Sequence, residues 1–156
     1  MRPSNVRLAR PDEGDAIYQL LLGLYEENGS FSIDPIKTRL RIEEMLDPSI
    51  GVIGIIDGEA GPEATVGLVI NSHWYSSDPV LAELWNYVLP EYRRSTHAKS
   101  LIEFGKWASD SLGIPLLMDI LSTTRTAAKE RLYRRQLEHV GSYFMHGRKS
   151  TKAEAA

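Results

Sequence analysis

The chain has 156 residues, 42% hydrophobic and 25% charged, with a formal net charge of −3. That size and balance suit one soluble domain with an ordinary core, and the charge gives no global electrostatic case for nucleic acid or an acidic membrane. Cysteine is absent, which excludes disulfides, thiolate metal sites and a cysteine acyl-enzyme and fits a cytoplasmic location; no apolar run approaches the ~20 residues of a membrane span, and the N-terminus lacks the signal-peptide pattern.

Val6 to Ala9 predicts a short first strand. Pro11-Asp12 reads as a helix start with Asp12 as N-cap, and Ala16, Ile17, Leu20, Leu21 and Leu24 share one face of a helix over 13–26. Asn28-Gly29-Ser30 ends it. Asp34-Pro35 opens a second helix, with Ile36, Leu40 and Met45 predicted to face inward. Ile50 to Ile56 is a β-branched run turned by Asp57-Gly58, and Thr65 to Asn71 follows as its hairpin partner. Leu81 to Val88 is the third strand of this group. Ala98 to Leu112 repeats apolar residues at helical spacing and stops at Gly113, a glycine suited to the left-handed position past a helix end. Leu116 to Leu121 predicts a buried strand. Thr124 is placed to cap a last helix over Thr126 to Gln136, and Gly141 to His146 predicts a final strand. The domain spans 1–147, followed by a polar tail, 148–156, expected to be disordered.

The segment VLPEYRRSTHAKSL, Val88 to Leu101, carries the most information. A strand that feeds a turn at a helix N-terminus leaves backbone N–H groups aimed at one point, with the positive end of the helix dipole behind them. Such a place binds phosphate. Arg93 and Arg94 add positive charge beside it. Taken singly, the same arginines read as surface charges, and Ser95 or Thr96 as a helix cap.

These residues resemble the acyl-CoA pyrophosphate loop of the GNAT family of N-acetyltransferases. That family places a valine, a proline two residues on, an aromatic, an arginine or glutamine, then a glycine and a small residue before a helix. Here the positions hold Val88, Pro90, Tyr92, Arg93, Thr96 and Ala98, with threonine where glycine is usual. A second family feature is a tyrosine on the last helix, matched by Leu132-Tyr133-Arg134-Arg135, with Lys129 where alanine usually stands four residues earlier. The resemblance covers roughly residues 5–147. It implies an α+β acyl-CoA N-acyltransferase fold with a mostly antiparallel central sheet and helices on both faces.

The resemblance also implies a function: direct acetyl transfer from acetyl-CoA, as co-substrate, to a small-molecule or protein amine, through a ternary complex and without a metal. Val88, Arg93, Arg94, Ser95, Thr96, His97, Ala98 and Lys99 would hold the cofactor. The amides of Arg93 to Ala98 would take the pyrophosphate, and the Val88 backbone the pantetheine arm. Tyr133, protonated at neutral pH, would donate to the departing thiolate. The base stays open between Glu83, His73 and a solvent-borne path. Period-two alternation puts Glu83 on the face of Trp85 and Tyr87. A homodimer is the family habit. The alternative is a non-catalytic module on the same fold, binding CoA structurally or docking a protein or, against its net charge, a nucleic acid, and it rests on Thr96 and the open base. The basic group Lys129, Arg131, Arg134 and Arg135 reads as a solvated helix face, or as a contact for the adenosine 3′-phosphate or for an acidic substrate. The histidines lack metal-ligand spacing, and no hydrolase nucleophile signature is present.

Overall fold

The structure, a computed structural model, describes residues 1–28 and 30–147. Gly29 and the predicted polar tail, 148–156, lie outside the described residues. The elements in chain order are β1 (Arg7–Leu8), α1 (Gly14–Asn28), α2 (Pro35–Met45), β2 (Gly51–Gly58), β3 (Gly61–Ser72), β4 (Pro79–Val88), a single 3-10 turn (Pro90–Tyr92), α3 (His97–Leu112), β5 (Leu116–Leu117) and α4 (Thr126–Gln136).

The five strands lie side by side in chain order. The first four pair antiparallel, and β5 pairs parallel with β4 after the α3 crossover. Side chains alternate across this sheet and build two cores. On one face Ile17, Tyr18, Leu21 and Leu24 of α1 and Ile42 and Met45 of α2 pack on Ile53, Ile55, Val69, Trp85 and Tyr87. On the other, Leu101, Phe104 and Ala108 of α3 pack on Val66, Leu68, Leu81 and Val88. Helices cover both faces, and the sheet is mostly antiparallel. No helix among the described residues is long and apolar enough to cross a membrane.

Several sequence expectations are corrected. Asp12 is exposed and pairs with Arg10 at 3.6 Å; the side chain that folds back over the helix start is Glu13, which accepts from the Arg10 amide at 2.7 Å. Ile36 and Leu40 are 74% and 55% exposed. At about 3.6 residues per turn they lie opposite the buried pair Ile42 and Met45. Thr124 does not cap α4: the N-cap position is Arg125, in the left-handed region at φ 53°. The run Leu116–Leu121 pairs only at its first two residues. The predicted last strand, Gly141–His146, is irregular, with Phe144 95% exposed. The two failures have one cause. Beyond Leu117 the chain leaves β4, so β5 stops there and offers no further edge for Gly141–His146 to join.

Candidate active site

Between Ala82 and Val88, β4 pairs with β3 on one side and with no strand on the other. The opening has a local origin in β4 itself. Gly67 pairs with Trp85 and Leu68 with Glu83, so Leu84 is an extra residue, a β-bulge. Across it the alternation shifts: Ala82 packs in the same core as Trp85 and Tyr87. The alternation that would set Glu83 on the Trp85 face is therefore interrupted, and its carboxylate turns to α4. Close approach holds this stretch in place. A Cβ on Gly67 would fall 2.3 Å from the Trp85 indole, and one on Gly23 of α1 2.4 Å from the Tyr87 hydroxyl.

Two hollows flank the open edge. The smaller, about 200 Å³, runs from Val88 and Ala98 along α4, and includes Glu27, Arg93, Arg125, Lys129 and Tyr133. The larger, about 620 Å³, lies between the α1–α2 connection and the segment 119–122, with Asp34, Glu83, Trp85, Asp119, Lys129 and Tyr133 in its wall. Asn86, Lys129 and Tyr133 border both.

Tyr133 sits at that junction. Its hydroxyl donates to Glu83 Oε2 at 2.8 Å and accepts from Asn86 Nδ2 at 3.0 Å. Burial, together with the Glu83 carboxylate, raises its pKa well above the usual phenol range. Part of Glu83 is reached from the cleft, yet the protein packed around its carboxyl pushes its pKa up to about 8. Burial is the largest cause and Asp119 adds to it, while the Tyr133 hydrogen bond and Lys129 oppose it. The sequence thus named two residues that the fold places in contact across 50 positions. His73 is exposed in the β3–β4 connection, stacked on Tyr75 at 5.5 Å, and borders neither hollow.

At the bend before α3 the amides divide. Those of Arg93, Ser95 and His97 are engaged, by the Pro90 carbonyl, the Tyr92 carbonyl and Ser95 Oγ respectively. Those of Arg94, Thr96, Ala98 and Lys99 have no partner among the described residues. Ser95 supplies the side-chain cap, whereas Thr96 makes no cap bond. The exposed Arg94 has no carboxylate partner among the described residues, and Lys99 pairs with Glu103 at 3.5 Å.

Arg93 departs from its expected role. Its guanidinium pairs with Glu27 at the end of α1, and its Nε donates to the Val88 carbonyl at 3.1 Å. It clamps α1 to the end of β4, and the Val88 carbonyl already accepts one bond. His97 turns its Nε2 to Glu63 at 2.7 Å and stacks with Tyr92. Sequence reasoning missed Glu63 and Asn86, neither of which carries a local signal; Glu27 stood in it only among the acidic residues of the α1–α2 region suited to a cationic amine, without its pairing to Arg93. Lys129 entered the sequence reading as the residue standing where alanine is usual and as one of a basic group on the last helix. It lies half-buried, and its Nζ donates to Ser122 Oγ at 2.9 Å.

No protein-family profile matches the chain, and no curated protein sequence matches it. Solved structures do. A possible acetyltransferase from Clostridium difficile 630 is 18% identical with a TM-score of 0.69, covering 90% of this chain and 95% of its own. The aminoglycoside N-acetyltransferase AAC(6')-Iy, in complex with a bisubstrate analogue, is 15% identical with a TM-score of 0.72, covering 92% and 97%. A ribosomal-protein-alanine N-acetyltransferase from Brucella melitensis biovar Abortus 2308 is 12% identical with a TM-score of 0.66, covering 90% and 96%. The fold of this chain is the acetyltransferase fold of these proteins, the GNAT fold, along nearly its whole described length.

Proposed function

From this fold and site we propose that the chain is an acyl-CoA-dependent N-acyltransferase that moves acetyl from acetyl-CoA directly to an amine in a ternary complex. The observation that carries this reading is the position of Tyr133, between two hollows of opposite character and hydrogen-bonded to Glu83 at 2.8 Å. The unpartnered amides of Arg94, Thr96, Ala98 and Lys99, with the α3 dipole behind them and Arg94 beside them, fit the diphosphate. The unpaired edge of β4 offers backbone groups to the pantetheine arm. The arm fills the smaller hollow, and the thioester reaches the junction.

The acceptor amine enters the larger hollow. Its wall carries the carboxylates of Asp34, Glu83 and Asp119 and the rings of Tyr25, Phe31 and Trp85, a lining suited to a cation with some apolar bulk. Asn28 Oδ1, buried and without a hydrogen-bond partner among the described residues, adds an acceptor for an N–H group. Two of the neighbours named above are named for different amines, an aminoglycoside and a ribosomal-protein alanine, and what we carry over is the common element, an amine.

The chemistry follows from the hydrogen bonds. The amine nitrogen attacks the carbonyl carbon, and Glu83 in its ionised form takes the proton. The C–S bond breaks, and Tyr133 donates to the leaving thiolate. Glu83 then returns the proton to Tyr133 along the bond that already joins them. Binding sets the two substrates side by side, and most of the acceleration comes from that proximity.

A second reading, a non-catalytic CoA-binding module, has one observation in its favour: the Tyr133 hydroxyl proton is already donated to Glu83, and the oxygen already accepts from Asn86, without any substrate. One experiment separates the two. Acetyl-CoA titrated calorimetrically should bind, and a panel of polyamines, amino sugars and lysine peptides should release CoA thiol with at least one member. Binding without turnover on any amine favours the module. Absence of binding removes both.

A further inference from the structure

Lys129 has no task in the transfer just described, yet it stands where the reaction happens. It is one of three residues that border both hollows, with Asn86 and Tyr133. It lies one helical turn before Tyr133 on α4, so the two side chains emerge on the same face. Its only side-chain partner among the described residues is a neutral hydroxyl, Ser122 Oγ; no carboxylate pairs with it directly. An alkylamine held against the end of the acyl-CoA arm is itself an acceptor for the acyl group.

We infer that Lys129 is a self-acylation site: with acyl-CoA bound and the amine hollow empty, its ε-amine attacks the thioester and becomes an Nε-acyl-lysine. The inference rests on the acyl-CoA reading above. The lone pair of neutral Nζ forms the N–C bond, and the C–S bond breaks with its electron pair on sulfur. The proton released by nitrogen passes to Glu83, while Tyr133 protonates the thiolate and is restored by Glu83. The products are acyl-lysine and CoA thiol, and no further reactant is needed.

The surroundings favour the neutral amine. Burial holds the Lys129 pKa below the ordinary lysine range. Arg93 and Arg125 act in the same direction, and Glu27 and Glu83 oppose it. Acylation converts a cation at the junction into a neutral, longer side chain. It removes a charge that steadies the Glu83 carboxylate and narrows the passage between the hollows. The product is a chain that binds acyl-CoA less well and reports the absence of its acceptor.

The test uses the whole chain as purified. It is incubated with saturating acetyl-CoA and no amine, and its mass and peptides are followed by mass spectrometry, with thermal shift on the same sample to record binding. The expected result is one acetyl group added at Lys129, at least roughly tenfold faster than at the exposed Lys99, as intramolecular placement predicts. Acetyl phosphate at the same concentration should erase that preference, a competent acceptor amine should suppress the label, and Lys129→Arg should lose it. If acetyl-CoA stabilises the chain and Lys129 stays unlabelled, or is labelled no faster than the exposed lysines, the inference fails and the transferase reading stands. If acetyl-CoA does not bind, both fail.

Discussion

The two hollows on either side of Tyr133 are built from opposite materials. The smaller sets Arg93, Arg125 and Lys129 against one carboxylate, Glu27, which Arg93 already holds. It continues to a helix N-terminus with open amides. The larger sets Asp34, Glu83 and Asp119 against Lys37 and Lys129, among aromatic rings. One side suits an anionic nucleotide held largely by backbone; the other suits a cationic amine held by side chains. On the acyl-CoA reading proposed above, the contrast would draw each of the two substrates to the hollow whose charge opposes its own. It also divides the predictions, because variants at the junction should change rate, and variants along the smaller side should change affinity or stability.

The largest effect belongs to the junction. Tyr133→Phe keeps the ring and removes the proton donor. We expect kcat to fall about 100-fold, within the range for general acid catalysis, with KM for both substrates changed less than about 2-fold. Steady-state kinetics with the best amine check this. An equal loss in acetyl-CoA affinity would make Tyr133 a binding residue and erase the boundary between the two regions.

Glu83 gives a pH signature. Its pKa is raised to about 8 from an ordinary 4.5, so the carboxylate needed as base forms only as pH rises past that value. Activity should climb between about pH 7 and 9, and Glu83→Gln should flatten the profile and lower kcat at pH 9 by roughly 10-fold or more. The stability sign is opposite. Because the folded state holds this proton more tightly than the unfolded one, the stability tied to protonated Glu83 is complete below pH 4.5 and lost as pH rises through about 8. Tm of the free chain should therefore decline across that window, and less so in Glu83→Gln.

Much of this division was legible before the fold was known. The strand into Pro90, the arginine-rich turn and the amphipathic run after it are local patterns, and α4 occupies Thr126–Gln136 as its spacing predicts. Tyr133 and Glu83 could be named because each lies on a recognisable element. What stayed hidden is non-local. Glu27 meets Arg93 across 66 positions, and nothing near either residue announces it. The bulge at Leu84 is invisible because alternation alone cannot count an extra residue. Gly141–His146 has strand-like composition, but a strand also needs an edge to pair with, and β5 ends too soon to offer one.

The two neighbouring arginines sharpen the contrast within the smaller side. Arg93 is a partly buried clamp on Glu27 and the Val88 carbonyl. Arg93→Ala should lower the stability of the free chain by about 1–3 kcal/mol, read as a fall in Tm, since it leaves Glu27 without its partner. Arg94→Ala should leave Tm unchanged and weaken acetyl-CoA binding roughly 3- to 10-fold by calorimetry. If the effects are exchanged, the assignment of clamp and ligand is reversed.

The smallest effect should come from Thr96→Gly, the change that restores the family's usual residue. Glycine at such a bend serves either a backbone angle closed to other residues or the close approach of the diphosphate. The first need is absent, because Thr96 sits at φ −85° and ψ 3°, a conformation open to any side chain. The second is met by position, because the Thr96 side chain is exposed and caps nothing, while its amide stays open. Acetyl-CoA affinity should therefore change by less than about 3-fold, and stability should drop by about 0.5 kcal/mol from the added freedom of the unfolded chain. A tenfold gain in affinity would instead mean that the threonine Cβ stands in the path of the diphosphate, and that the smaller hollow is a cofactor site only partly kept.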